Sequence, residues 1–253
     1  MAIDNNKNNV KYKVFYPGGN TTAIVFSNHK DSVSEVSREI MASNPEIEQV
    51  GFVLSGAGPL RLQMMGGEFC VNAASSAASH WLNEKNIDEV KFTVSGFDQE
   101  ITAQKSDQLI ALSMPGSLVV GCTVVFDGFL VELQGISYLV TTKKDLDADS
   151  LVRAYYNSSP AFGIIFLEKN SYASLKIEPT VWVKETGTFV KESACGSGSI
   201  AACIPFRDPS KNEIFFVKQP SGHRYEIRFK PSLEIELLGE VRFLGEKELK
   251  ITE

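Results

Sequence analysis

What is scarce in this chain narrows its chemistry first. There are four cysteines among 253 residues, Cys70, Cys122, Cys195 and Cys203, and no two form a Cys-x-x-Cys pair. Only three histidines accompany them: His29, His80 and His223. Tetrahedral zinc sites usually draw ligands from closely spaced pairs of such residues, so no metal is expected. No stretch approaches the ~20 apolar residues of a membrane span, so no membrane partner is expected either. Positive charge is short as well. The net charge of −6 is the opposite of what a sequence-independent nucleic-acid binder needs. The N-terminus, Met1-Ala-Ile-Asp-Asn-Asn-Lys7, has no apolar core of a secretory signal. The expectation is a cytoplasmic protein whose thiols stay reduced.

What is present reads as a soluble α/β protein. The chain is 43% hydrophobic and 22% charged, an ordinary globular composition, and long enough for two domains. Short β-rich runs dominate. Seven lie between Lys11–Tyr16 and Leu109–Met114, and ten between Val119–Phe126 and Leu249–Thr252. Many alternate apolar and polar residues, as half-buried strands do. Ser32-Val-Ser-Glu35 reads as a capping box opening an amphipathic helix with Val33, Val36, Ile40 and Met41 on its apolar side. Leu146–Tyr156 is a second candidate, with Asp145 or Asp147 at its start. Residues 1–9 read as a tail without order.

Two other helical stretches are unusual. Val71–Leu82 and Gly196–Ile204 carry Ala, Ser and Gly on nearly every face, and the second stops before Pro205. A helix facing solvent would show charge on one side. A helix enclosed by sheet must be thin, and small residues make it thin. The sequence therefore predicts two pseudo-symmetric domains, each a β-sheet wrapped round a central helix. The boundary falls near Met114-Pro-Gly-Ser117, giving residues 1–116 and 117–253, with the last strand able to cross back to the first domain. The halves also rhyme. A glutamate precedes each thiol (Glu68-Phe-Cys70, Glu192-Ser-Ala-Cys195), and each half has a Pro-x-Gly turn (Pro17-Gly-Gly-Asn20, Pro220-Ser-Gly-His223).

Cys70 and Cys195 stand at the expected N-termini of the small-residue helices. Free N–H groups and the helix dipole there favour a thiolate, lowering a thiol pKa below its usual ~8.5. The same N–H groups can hold a substrate carboxylate. Racemisation at an amino-acid Cα needs this twice: a base on one face and an acid on the other. Without an electron sink, the carbanion needs donors around its carboxylate in a site that excludes water.

At these residues the chain resembles the superfamily of diaminopimelate epimerases, proline racemases and phenazine isomerases. Glu192-Ser-Ala-Cys195-Gly-Ser-Gly198 is similar to its second-cysteine motif, and Gly66-Gly-Glu-Phe-Cys70-Val-Asn72 to its first. Pro17-Gly-Gly-Asn20, Glu48-Gln49-Val-Gly-Phe and Lys218-Gln-Pro-Ser-Gly222 resemble its substrate-lining turns. The matches run in order from residue 17 to 222. The resemblance implies a site in the interdomain cleft, Cys70 and Cys195 as the acid/base pair, and no pyridoxal phosphate or other cofactor. It also suggests a homodimer.

There are departures. Diaminopimelate epimerases carry a Glu-Arg-Gly stretch that grips a distal amino acid. The nearest match here, Lys184-Glu-Thr-Gly187, lacks the arginine. The first motif normally reads Cys-Gly-Asn, and Val71 replaces the glycine with a side chain that could narrow the pocket. Together the strings look closest to the histidine racemases linked to opine-type metallophore synthesis. The expected substrate is then a small amino acid, histidine, with other amino acids on the same fold as the alternative.

By the same resemblance, Asn20, Glu48, Gln49, Val71, Asn72, Glu192, Gly196 and Ser197 are candidates for substrate contact. Val71, Gly196 and Ser197 would act through backbone N–H groups, and Glu48 is the favoured selector of a cationic side chain, with Glu68 an alternative. Cys122 and Cys203 read as core residues, as do Trp81 and Trp182. His80 reads as structural, and 184–191 as a solvated hairpin. A single-thiol hydrolase would need a histidine beside its nucleophile, and only His80 lies near a motif. A non-catalytic binding protein on the same fold is the remaining alternative.

Overall fold

The computed structural model describes residues 9–26, 32–54, 59–144, 146–156 and 158–250. The first half runs β1 (Asn9–Pro17), β2 (Thr22–Val25), α1 (Val33–Ser43), β3 (Gln49–Leu54), β4 (Leu60–Met64), α2 (Val71–Glu84), β5 (Glu89–Val94), β6 (Ile101–Ser106) and β7 (Leu109–Pro115). The second runs β8 (Val119–Val125), β9 (Gly128–Leu133), β10 (Ile136–Thr141), α3 (Ala148–Tyr155), β11 (Ala161–Lys169), β12 (Ser174–Val183) and β13 (Thr188–Lys191). It ends with α4 (Gly196–Cys203), β14 (Glu213–Lys218), β15 (Arg224–Lys230) and β16 (Glu234–Lys250).

These strands make one continuous sheet, and its pairing repeats. In the first half β1–β2 is antiparallel, β2–β3 parallel across α1, β3–β4 antiparallel, and β4–β5 parallel across α2. In the second half β9–β10 is antiparallel, β10–β11 parallel across α3, β11–β12 antiparallel, and β12–β14 parallel across α4. Antiparallel β5–β6–β7 and β14–β15–β16 complete the two copies. Each cysteine-headed helix is thus the second crossover of its copy. β16 joins the copies. Its residues 234–240 pair with β7, and 241–250 pair with β1, closing the first eight-strand ring. The far end, β8, pairs only with β9 among the described strands.

The small-residue helices sit where their composition demands. Eleven of the fourteen residues of α2 are buried, and all eight of α4. α2 packs against β1 to β7 and β16, and α4 against β9 to β12 and β15. Larger side chains return only at the distal end of α2, where Trp81 packs on Phe92. Burying Leu82 there contributes about 1.5–3 kcal/mol.

Several expectations change. Cys122 is exposed, because β8 is an outer strand and its odd and even residues both meet solvent. Trp182 is half-buried against Tyr156. Ser32 precedes α1, but its hydroxyl pairs with Ser34 and makes no capping bond. Asp147 does cap α3, accepting from the Ser150 N–H at 2.9 Å. The runs Ala173–Ile177 and Val181–Val183 are one strand, β12. Those at Leu233–Leu237 and Leu249–Thr252 belong to one strand, β16, as far as Lys250. Asn9 opens β1; the rest of the N-terminal tail, His29, Asp145 and residues 251–252 lie outside the described residues.

Candidate active site

Cys70 and Cys195 are the N-caps of α2 and α4, with nearly the same backbone: φ −133°, ψ 112° and φ −137°, ψ 107°. Each sulfur accepts an N–H from three residues on, Ala73 at 3.4 Å and Gly198 at 3.3 Å. The two helix ends abut. A Cβ on Gly196 would stand 2.5 Å from Val71 Cγ1, so the close approach requires glycine there. The Val71 side chain fills this contact instead of narrowing the cavity.

Both thiols line one cavity holding about 410 Å³ of space between atoms, its mouth included. Glu48, Gln49, Glu68, Asn72, Tyr138, Glu192 and Ser197 supply its polar wall, and Val181, Val183 and Val190 part of its apolar one. The hairpin over 184–191, expected to be solvated, is therefore half a wall: β13 turns Val190 inward. Among the described residues, no lysine, arginine or histidine lines the cavity. His80 lies beyond it, its ring tilted by 56° against Phe26 with centroids 4.1 Å apart.

Behind the lining, side-chain amides stitch the halves together. Asn20 donates to Glu48 Oε2 at 2.7 Å and to the Ala194 carbonyl at 3.2 Å. Asn72 donates to the same carbonyl at 2.8 Å and accepts the Gly196 N–H at 3.1 Å. The Gly196 N–H is thus occupied within the protein. Gln219 accepts the Cys195 N–H at 2.9 Å. The two Pro-x-Gly turns face each other: Ser221 donates to the Gly18 carbonyl, and a Cβ on Gly19 (φ +103°) would strike Ser221.

The electrostatics run against the helix-end expectation. Burial pushes both thiols well above the ordinary range, and the Glu192 carboxylate pushes them further. The N–H groups at the caps act in the opposite direction but weigh less, because the sulfurs are shut away from water. Burial likewise raises Glu68 to about 7 and Glu192 to about 8. Glu48 is also raised by burial, tempered by the Ser193 and Asn20 donors. Glu192 Oε2 is buried without a hydrogen-bond partner. Three carboxyls and two thiols thus share a largely buried space in which the described residues place no cation.

Of the residues singled out from sequence, Glu48, Gln49, Cys70, Asn72, Glu192, Cys195 and Ser197 meet in the cavity lining. Asn20 stands one layer behind, while Val71 and Gly196 form the helix–helix contact. Sequence reasoning missed Tyr138, whose hydroxyl is 2.7 Å from Ser197 Oγ and 3.5 Å from Cys195 Sγ. It also missed Tyr225, 2.9 Å from Asn72 Oδ1. Both are aromatic residues on strands, with nothing in the local pattern to set them apart from core. Gln219 sits inside a quoted turn motif and could have been found there.

The fold is shared with solved structures of low sequence identity. A hydroxyproline epimerase from Agrobacterium vitis, solved with trans-4-hydroxy-L-proline, aligns at TM-score 0.63 and 13% identity, over 96% of this chain and 91% of that one. A protein from Pseudomonas aeruginosa described as a predicted epimerase aligns at 0.67 and 12% identity, over 96% and 100%. Closer in sequence is a histidine racemase of Fusobacterium nucleatum, 31% identical over 230 residues, 81% of this chain and 84% of that protein. A histidine racemase of Staphylococcus aureus is 25% identical over 245 residues, 86% and 88%. The class is therefore that of the amino-acid racemases, isomerases acting on a small molecule. Residues 9–243 match the family described as histidine racemase CntK N-terminal domain, and the chain belongs to that family.

Proposed function

We propose that this protein interconverts L- and D-histidine by a two-thiol mechanism without a cofactor. The observation that carries the reading is the pair of helix-capping cysteines, Cys70 and Cys195, lining one buried cavity with three carboxyls. One sulfur, as thiolate, takes the proton from Cα, and the other, as thiol, returns a proton to the opposite face. The first N–H groups of each helix, at Val71 and Ser197, have no carbonyl within their helix to bond. They can hold the substrate carboxylate as it gains charge.

Histidine suits the remaining wall. Among the described residues the cavity offers Glu48, Glu68 and Glu192 and no cation, so a ligand with an ammonium and an imidazolium supplies the charge that the carboxyls lack. Its arrival also favours the thiolate, reversing part of the shift caused by burial. Names of relatives in the same family point the same way. In this reading residues 1–116 and 117–253 act as two units about the cleft, in a cytoplasmic homodimer, and the product feeds an opine-type metallophore synthesis as the motif resemblance implies.

The test is deuterium exchange at Cα in D₂O with a panel of L-amino acids. Exchange and racemisation of histidine well above the others are expected. Exchange of another amino acid without histidine would overturn the substrate. Full turnover by either Cys70→Ser or Cys195→Ser would overturn the mechanism.

A further inference from the structure

The two thiols share a backbone geometry but face different polar groups. Cys70 Sγ stands 2.8 Å from Gln49 Oε1. The orientation of that amide follows from its neighbours. Asn20 Nδ2 points at Glu48 Oε2 and the Ala194 carbonyl, both acceptors, so its Oδ1 faces the other way. That oxygen receives Gln49 Nε2 at 2.7 Å, which leaves Gln49 Oε1 toward the sulfur. An amide oxygen at this distance accepts an S–H and repels a thiolate.

Cys195 meets donors instead. Tyr138 and Ser197 hold two hydroxyl hydrogens between them. One is used in their mutual 2.7 Å bond, and whichever way it runs the other is free to point at Sγ, 3.5 Å from Tyr138 and 3.8 Å from Ser197. The Gly198 N–H adds another donor. Donors to sulfur favour the thiolate.

These polar groups break the internal repeat. Gln49 comes from β3, and Tyr138 from β10, whose counterpart in the first copy is β2.

We propose that the pair is polarised before substrate arrives: Gln49 keeps Cys70 protonated as the acid, and the Tyr138–Ser197 hydroxyl pair makes Cys195 the base. The inference rests on the two-thiol reading above and adds the direction in which the free enzyme is poised. Substrate that presents its Cα–H to Cys195 then meets the sulfur that gives up its proton more readily, and its mirror image meets the one that holds its proton longer. Gln49 and Tyr138 act through the sulfurs and are positioning residues.

The other ionisable groups facing the sulfurs are Glu68 on the Cys70 side, Tyr225 from β15 near both, and Glu192. The Glu192 carboxylate raises both thiols, and its contact with Cys195 raises that one further, against the pull of the hydroxyl pair, so removing its charge should widen the gap between the two sulfurs.

Raman titration of the S–H stretching band tests the order without substrate and without reagent access. Cys70→Ser reports Cys195, and Cys195→Ser reports Cys70, each after subtraction of a spectrum lacking both thiols. Loss of the Cys195 band is expected at least about one pH unit below that of Cys70, with the order kept in a Glu192→Gln background. Tyr138→Phe should raise the Cys195 midpoint by about one unit and leave that of Cys70 in place. Ser197→Ala should raise it too and serves if the tyrosine variant does not fold. Gln49→Met should lower the Cys70 midpoint alone. Equal midpoints, or the reverse order, would overturn the proposal. A wrong substrate would leave this titration unchanged, and a wrong order would leave racemisation and its loss in both serine variants unchanged, so the two readings fail separately.

Discussion

The α2 and α4 ends match in backbone and differ in setting. α2 is enclosed by a ring of eight strands that β16 closes, and it runs fourteen residues to a distal end filled by Trp81 and Leu82. α4 is cut to eight residues ahead of Pro205, and its sheet ends in an open strand, β8. The cap that exposes each sulfur to the cavity survives this difference, because it needs only an extended residue followed by one turn of helix. Apart from Ser197 on α4 itself, the polar groups that face the sulfurs come from elsewhere: Gln49, Tyr138, and Glu192 in the loop ahead of α4. Duplication can copy the cap, whereas the tuning groups are particular to each half.

The largest effect tests whether the halves are both needed. Cys70→Ser and Cys195→Ser should each lower racemisation by about 10³-fold or more, read by circular dichroism of the histidine pool. A variant with one half dispensable would show a small loss at one cysteine only.

Next comes the shared acidic wall. A carboxyl with an ordinary value of 4.5 raised to about 8, as at Glu192, binds more protons folded than unfolded between those values. Stability contributed by its protonated form is therefore lost as pH rises from about 4.5 to 8 and stays lost above. Glu192→Gln should stabilise the empty protein increasingly across that window, by on the order of a few kcal/mol at its upper end. Denaturant unfolding at pH 5 and pH 8.5 measures the difference. Saturating histidine should flatten the wild-type slope, since a bound cation returns the carboxyl toward ionisation. A pH-independent difference between variant and wild type would show that Glu192 is not the group responsible.

The contact between helix ends is the third lever. Gly196→Ala drives a methyl into Val71 and should cost about 1–3 kcal/mol by overpacking. Adding Val71→Ala opens the space and should recover most of it, a coupling that a thermal-denaturation double-mutant cycle reads directly. Additive losses would mean that the two helices do not meet through this pair.

Much of this was legible before any coordinates. Short β-rich runs, many of them alternating, marked the strands other than β13, and the absence of charge from Val71–Leu82 and Gly196–Ile204 marked the enclosed helices. What was illegible has physical reasons. Pro179 broke β12 into two runs in the sequence. In the fold it lies between the stretch that pairs with β14 and the stretch that pairs with β13, where the ladder does not need its missing N–H. β16 broke at its polar middle because each end serves a different neighbour, so no single alternation runs through it. Within the site, the thiols were visible through their motifs. Tyr138 was not, since a buried strand tyrosine looks the same whether its hydroxyl meets a carbonyl or a thiol in a cavity. A helix end acts on its thiol through a local dipole that the sequence displays, whereas burial depends on chain segments more than a hundred residues away.

The smallest effect compares the two outer helices, α1 and α3, which occupy equivalent crossovers in the two copies. Both begin after a residue that favours N-caps, yet only Asp147 makes the bond, through Oδ2 to the Ser150 N–H and hydroxyl. Ser32 spends its hydroxyl on Ser34. Asp147→Ala should therefore lower the melting temperature, as the loss of a cap does, while Ser32→Ala should leave it nearly unchanged. α1 does not need the cap because Val36 and Ile40 are buried, whereas α3 buries only Leu151 fully and leans more on its first turn. Equal losses in a thermal melt would mean that Ser32 caps its helix in solution after all, and that the copies are more alike at their periphery than at the cavity between their helix ends.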